Sequence, residues 1–498
     1  MSEMIDMSLL DVGNHIHGHG RKKIMIPKPE ILNENNLSIA IKKAVAIHEK
    51  IAKECDFLWH YYEGLQPILN RKKIVRPDIC HKVVVNHAYE IVTFKNGYIF
   101  GEPVQYVQKG KLGIDSGYSK ENLVSPLNEL MNLENKAQKD KSLGKWMHVT
   151  GIGYRMTLPR KEPDRILKIA TLDPRWSFVV YDTDIEETPW LCGKYFITTD
   201  NDNNVYRKLC CYTENLMIVF DFYGNKDKDH MTISNTAYGF LPIIEYQLNE
   251  ERQGCFEPVL DIMDEINTIE SNVADLIEQN VQHLIVYKNC DVTNDQHDDF
   301  IQRGAIKVTD KSGRQGDVKV LKVDMALAEI QNVIDAKYNT ILQICSMPDR
   351  KTSSGGNTGS SVEMGQGWRN TETCAKDTTS MFNPPEYQFL SAVLRIIRDS
   401  SGADPELKKL KLGEIGIQFT RNRTDNYLVK TQGLLSELQA GVHPRQALID
   451  CGLFSDPEQV YVDSKDRFSK WESDTTETSQ QETKETIADI APKTPITV

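Results

Sequence analysis

The stretch "FEPVLDIMDEINTIESNVADLIEQNVQHLIVY", Phe256–Tyr287, decides how this chain is organised. It has no glycine, and Pro258 stands near its start, where a helix tolerates one. Val259, Met263, Ile266, Ile269, Val273, Leu276 and Leu284 step by three and four for most of its length, the period of a helical face. The spacing predicts one helix about 48 Å long at ~1.5 Å per residue. Its acids, Glu257, Asp261, Asp264, Glu265, Glu270, Asp275 and Glu278, meet no Lys or Arg within the stretch.

Working outward, "AIKVTD" and "VKVLKV" read as short strands around the turn "KSGRQGD". A second helix, "MALAEIQNVIDAKYNTILQICSM", follows with Asp324 as its cap and Pro348 as its stop. Two long helices with a compact insert between them make a stalk and a tip.

Upstream, residues 165–250 hold short β-rich runs such as "SFVVYD", "KYFITTD" and "LMIVFDFY", separated by turn clusters, the pattern of an antiparallel meander. Before it lie two helical segments. Ser38 is the expected cap of the first, which covers "IAIKKAVAIHEKIAKECDFLWHYYEG". The second is expected over Cys80–Phe100, ended by Gly101 in a left-handed conformation and by Pro103, with "VQYV" continuing as a strand. Gly97 lies inside that helix, where it costs about 1 kcal/mol relative to Ala, and close packing is the expected reason for it. Residues 1–36 are polar and aperiodic and read as a flexible arm.

Downstream, "RKTSSGGNTGSSVEMGQGWRN", Arg350–Asn370, is a Gly/Ser/Thr/Asn loop. A helix resumes at "PPEYQFLSAVLRIIRDSS", "EIGIQFTRNRTDN" reads as a strand into a loop, and two or three short helices fit Tyr427–Lys470. Trp471–Val498 is rich in Thr, Glu and Gln and lacks core-forming residues, so it is expected to be disordered.

Several function classes lose their support here. A net charge of -12 argues against a protein that grips nucleic acid through a broad basic face. The ten cysteines have no CxxC or paired spacing, which fits reduced, buried residues of a cytoplasmic protein. No apolar run reaches the ~18 residues of a membrane span, and the N-terminus lacks the order of a secretory signal. "HEKIA" at His48–Ala52 misses a zinc-protease ligand at Ala52, and Asp200, Asp202 and Asn204 open a calcium-like loop that fails at Val205 and Cys211. No Lys follows Gly359 or Gly365 as a phosphate-binding loop requires, so neither an ATPase nor a nuclease finds its motif. Asp11, His15, His17 and His19 read as a polar arm in preference to a metal site. No catalytic residue, metal site or cofactor is expected.

The succession of "YYEGLQPILNR" (Tyr61–Arg71), "VVVNHAYEIVTFKNGYIFGEPVQY" (Val83–Tyr106), "VFDFYGNK" (Val219–Lys226), "FEPVLDIMDEINTIESNVADLIEQ" (Phe256–Gln279) and "SSGGNTGSSVEM" (Ser353–Met364) resembles the portal proteins of tailed bacteriophages, in the SPP1-type group. The resemblance covers roughly residues 36–470, and the chain departs from it at Glu63 and in the Gly-rich loop. It implies an α+β portal fold with a mixed α/β wing, a two-helix stem, a small α/β clip and a helical crown. The wing would span 37–255 and 368–425, the stem 256–287 and 325–348, the clip 288–324, the tunnel loop 349–367 and the crown 426–470.

The implied function is non-enzymatic: a ring of about a dozen identical subunits at one capsid vertex, through which double-stranded DNA is packaged and ejected. Its implied partners are the terminase large subunit, a head–tail adaptor, and the scaffolding and major capsid proteins, in a virion assembled in the host cytoplasm, with no membrane. A head–tail adaptor or other virion scaffold is the alternative. On that reading Arg350, Lys351, Asn357, Thr358, Ser360, Ser361 and Arg369 form a DNA-proximal tunnel loop, and Asp264, Glu270, Asp275 and Glu278 line the channel. Arg303, Lys307, Lys311, Arg314 and Lys319 would contact partners or DNA at the clip. An acidic lining suits a conduit, because each phosphate neutralised by Lys or Arg adds a contact to undo as DNA advances.

Overall fold

The computed structural model describes residues 20–108, 124–162, 165–199, 205–222, 230–282, 284–288, 317–321, 327–349, 367–421 and 427–451, with scattered positions between 453 and 467. The chain divides into two compact units, one of residues 1–96, 142–156 and 170–386, the other of 97–141, 157–169 and 387–498. The fold is α+β, as expected.

The first unit is built on a six-stranded sheet. Its strands are β1 (Ile24–Met25), β5 (Ser177–Tyr181), β6 (Pro189–Thr199), β7 (Val205–Tyr212), β8 (Leu216–Phe222) and β9 (His230–Asn235), in the order β1-β5-β6-β7-β8-β9. Strands β5 to β9 pair antiparallel with their sequence neighbours, so this part of the meander forms as the turn clusters predict. β1 lies parallel to β5, Ile24 opposite Val180. Residues 20–36 are therefore not a free arm: Ile24 and Ile26 are buried, and Trp190 donates its indole N–H to the Ile26 carbonyl at 2.9 Å.

Helix α1 (Glu34–Glu63) covers this sheet. Its cap is Asn33, whose Oδ1 accepts the Asn36 N–H at 2.8 Å, so the helix starts ahead of the expected Ser38. Either side chain suits the role, and Asn33 takes it because Leu37, buried among the sheet residues, needs a turn in front of it. Leu37, Ile41, Ala44, Ile51 and Cys55 pack on Phe178, Val180, Leu191, Leu209 and Phe220, all nearly sealed from water. Gly64 ends the helix at φ 93°, its N–H and that of Leu65 closing on the Tyr61 and His60 carbonyls.

Helix α2 (His87–Phe100) starts later than expected, because residues 80–86 are extended. It ends at Phe100 as predicted, yet Gly101 is not among the residues of positive φ. The stop therefore comes from the chain turning toward Pro103 rather than from a left-handed glycine. Close packing does not explain Gly97 either, since a Cβ there would meet nothing within 4 Å.

The second unit contains β2 (Gln105–Gln108), α3 (Ser125–Leu133) and the start of α4 (Lys136–Thr150). β2 pairs antiparallel with β13 (Ile415–Gln418), and the Asn128 amide closes on both backbone groups of Tyr106, at 3.2 and 2.9 Å. Lys136 is buried, held by Asp140 at 2.6 Å and set against the Tyr106 and Phe389 rings. The strands β3 (Ile152–Glu162), β4 (Arg165–Leu172) and β10 (Ile243–Gln247) form a sheet in the order β10-β3-β4.

The stretch that opened the sequence reading folds as three elements rather than one helix. A 3-10 turn, Glu257–Val259, leads into helix α5 (Leu260–Gln282), and Leu284–Lys288 is strand β11, paired antiparallel with β12 (Asp317–Leu321). The helix is thus shorter than the sequence implies at both ends. "LIVY" is a short apolar run of β-branched and aromatic residues, for which helical and strand readings coincide until a partner strand arrives. Helix α6 (Leu327–Ile344) follows, and the expected cap Asp324 lies outside the described residues.

Helix α7 (Trp368–Asp399) holds the largest departure, because it runs through Pro384 and Pro385, where a helix start was expected. Ala375, Thr378, Phe382, Glu386, Phe389, Val393 and Ile396 are buried at three- and four-residue steps on both sides of the prolines. That continuous buried stripe outweighs the two hydrogen bonds the prolines forgo. Helices α8 (Tyr427–Gln439) and α9 (Pro444–Cys451) supply short helices where expected.

Within α4, His148 is 1% exposed and its Nδ1–H donates to the Gly144 carbonyl at 2.6 Å. Burial pushes its pKa down to about 3. An unfolded chain takes up that proton near pH 6.5, so stability falls as pH drops from 6.5 toward 3, by about 1.4 kcal/mol per pH unit from this group. His148→Met is expected to flatten the difference in stability–pH curves over that window, read by urea unfolding at a series of pH values; parallel curves would remove His148 as the cause.

Candidate functional site

The acids of α5 are the features that the sequence leaves without partners. The structure finds partners for most of them on other elements. Gln66 to Asn86 form a strap that begins with the short helix Pro67–Asn70 and then runs extended beside α5. Val85, Val83 and His81 each donate a backbone N–H to α5, to Asn267 Oδ1 at 2.8 Å, Ser271 Oγ at 3.0 Å and Asp275 Oδ1 at 2.7 Å. Four residues of helix advance about 6.0 Å and two residues of extended chain about 6.6 Å, so the two periods stay in register over three rungs. Amides outside a helix or sheet still need acceptors, and this polar row supplies them to the half-buried strap.

Asp275 is the anchor. Its Oδ2 lies 3.0 Å from both Arg71 Nη2 and Lys73 Nζ, with its side chain 5% exposed. Burial pushes the carboxyl pKa up, but the His81 N–H, Lys73 and Arg71 together hold it below the ordinary carboxylate value. Asp275→Ala removes all three contacts and is expected to cost about 1.5–3 kcal/mol. It should release the strap from its far end, with faster hydrogen exchange around His81 and little change at Val85. Unchanged exchange at His81 would show that the ladder does not hold the strap.

The other predicted channel acids are placed as follows. Asp264 accepts the Tyr61 hydroxyl at 2.7 Å, and Glu278 meets His81 Nε2 at 2.5 Å. Glu270 is half-buried and has no ion-pair partner among the described residues. Glu265, absent from the expected set, pairs with Lys337 of α6 at 2.6 Å. Glu257 is buried and is held by Arg21 and the Gly254 N–H; burial pushes its pKa up, to about 7, against the pull of Arg21. None of these partners shares α5, so the spacing of residues along that helix contained no signal for them.

Of the predicted tunnel-loop residues, only Arg369 is described; it is exposed in the first turn of α7. Arg350, Lys351, Asn357, Thr358, Ser360 and Ser361 lie outside the described residues, as do Arg303, Lys307, Arg314 and Lys311. Lys319 falls within β12. The ends of the loop are brought together: Thr371 Oγ1 donates to the Ser346 carbonyl at 2.8 Å, and Gly367, at φ 79°, sits against Met347 and Pro348. Among the described residues no cluster of His, Cys, Asp and Glu is arranged to hold a metal ion, and no helix is long and apolar enough to cross a membrane.

Residues 41–486 match the family model described as phage portal protein, SPP1 Gp6-like. The chain belongs to the phage portal protein family. It is also similar to the portal protein of Bacillus phage SPP1, with 21% identity over 392 residues, covering 75% of this chain and 74% of that one. The portal match runs from within α1 to beyond α9, including the strap, α5, α6 and the β11–β12 pair. A portal function in phage DNA packaging follows from that membership. The portal family is structural, and it places its members at the capsid vertex of the virion.

Proposed function

We propose that this portal chain assembles into a closed ring of about twelve copies at one capsid vertex, through which double-stranded DNA enters during packaging and leaves at ejection. The observation that carries the reading is the pair α5 and α6, joined by Glu265–Lys337, with the antiparallel strands β11 and β12 between them in the chain. The helix pair is the stem and the two strands belong to the clip, which docks the terminase large subunit and then the head–tail adaptor. The mixed sheets are the wing, α8 and α9 the crown, and residues 349–367 the tunnel loop that meets DNA. Scaffolding and major capsid proteins contact the wing, and the ring performs no catalysis.

The acidic lining is narrower than the composition of α5 implies. Asp264, Asp275 and Glu278 serve contacts within the chain. The exposed stripe Asp261, Glu265 and Thr268, at steps of four and three, is the surface that faces the duplex, with Glu265 also bridging to Lys337 of α6. Short polar and acidic groups there leave a sliding polyanion without phosphate contacts to break.

Electron microscopy and mass measurement of the purified chain test the ring. Annular particles of about twelve copies are expected, and a monomer that turns over ATP would end the proposal. In rings, Asp261→Lys with Glu265→Lys should create salt-sensitive binding to duplex DNA that wild-type rings lack; no gain would exclude this stripe from the channel.

A further inference from the structure

The strap carries one feature that its role on α5 leaves unused. Between its anchor at Asp275 and the buried Ile79, the chain raises Ile74, 99% exposed, and Val75, 76% exposed. The loop is held at both feet. Arg71 and Lys73 grip Asp275, Arg71 also donates to the His81 carbonyl at 3.0 Å, and Arg76, at φ 52°, forks onto Asp78 at 2.9 to 3.3 Å. Other exposed apolar residues are mostly isolated, as is normal on any surface. Two adjacent β-branched side chains on a fixed, locally strained loop are a different matter, because covering them takes contiguous apolar surface out of water. Lys72 and Arg76 flank them with positive charge.

A complementary surface lies on α5 itself. Glu270 has no ion-pair partner among the described residues, and Ile277, seven residues on, is 45% exposed. Seven residues return to within about 20° of the same direction on a helix, so the two share one face along about 10.5 Å. Asp275, where the loop is rooted, points about 140° away from Glu270 and about 160° away from Ile277. The loop and this face are therefore presented on different sides of one helix and do not cover each other within one chain.

We infer that the loop Lys72–Arg76 of one copy docks on the Glu270–Ile277 face of the next, as a head-to-tail joint between successive subunits. Ile74 and Val75 cover Ile277, and Lys72 stands beside Glu270. The occupant is a second copy because Lys72, beside the exposed pair Ile74 and Val75, meets an acid and an apolar residue that the described residues leave open. Such a joint uses two different patches and closes only as a ring. The inference rests on the ring reading and names where its subunits meet.

Two variants and their mixture test it. Ile74→Asp with Val75→Asp disables the loop and leaves the helix face intact; Glu270→Lys with Ile277→Asp does the reverse. All four positions are at least part-exposed, and circular dichroism with melting checks that each variant folds. Neither variant alone is expected to form rings, while an equal mixture should give dimers through the one intact joint and nothing larger. Rings from the folded loop variant, or a mixture that stays monomeric, would overturn the joint. If the wild-type chain itself forms no ring, the ring reading fails, and the mixture still reports whether these two surfaces bind each other.

Discussion

Glu386→Ala is expected to destabilise the first unit by about 3–5 kcal/mol, the largest effect of any single side-chain removal described for this protein. Glu386 and Arg155 are both fully buried, with Glu386 Oε2 2.6 Å from Arg155 Nη1. The Tyr246 hydroxyl donates to the same oxygen at 2.7 Å and accepts from Arg155 at 3.1 Å. The Tyr246 and Phe382 rings close over the guanidinium at 4.9 and 5.9 Å. Truncating the acid leaves an arginine charge in an apolar enclosure, and the penalty is the uncompensated charge more than the lost bond. The double variant Arg155→Met, Glu386→Leu should therefore be more stable than Glu386→Ala alone, although it removes more polar contacts. Urea unfolding of the three proteins decides it, and a double variant less stable than the single one would refute the argument.

Gly151→Ala is expected to match or exceed that effect by a steric route. Gly151 joins α4 to β3 at φ 78°, a conformation that costs an L-residue about 1–2 kcal/mol. An added Cβ would also lie 2.2 Å from the Arg252 carbonyl oxygen and 2.4 Å from its carbon. These are backbone atoms that cannot turn aside, so either the 248–254 turn moves or β3 loses its start, where the Leu248 N–H donates to the Gly151 carbonyl at 2.9 Å. Gly97→Ala is the contrasting case. It sits in α2 with open space at its Cβ, so the same substitution is expected to stabilise by about 0.5–1 kcal/mol. Thermal melting of both variants should move in opposite directions, and a tolerated Gly151→Ala would mean that the turn is softer than its contacts imply.

The residues that a linear reading located well are those whose cause is local. The meander of β5 to β9 was legible because alternation and turn clusters are properties of neighbouring residues. The end of α2 at Phe100 was legible for the same reason, although the conformation of Gly101 was not. What escaped depended on partners distant in the chain. α7 crosses two prolines because a buried stripe continues on both sides of them. β11 leaves the helical period because β12 is there to pair with it.

The candidate site divides in the same way. The helical period and acid content of α5, and above all the succession of segments along the chain, were enough to place the protein among phage portals. They follow from the order of residues alone, through periodicity and the chemistry of turns. Which acid serves which task was decided only in three dimensions. Asp275 went to Arg71 and Lys73, and Glu265 to Lys337, partners separated from them by dozens to hundreds of positions. A carboxylate's neighbours are chosen by how a strap and a helix happen to share a repeat of about 6 Å. The order of residues along either element contains no record of that match until the two are laid side by side.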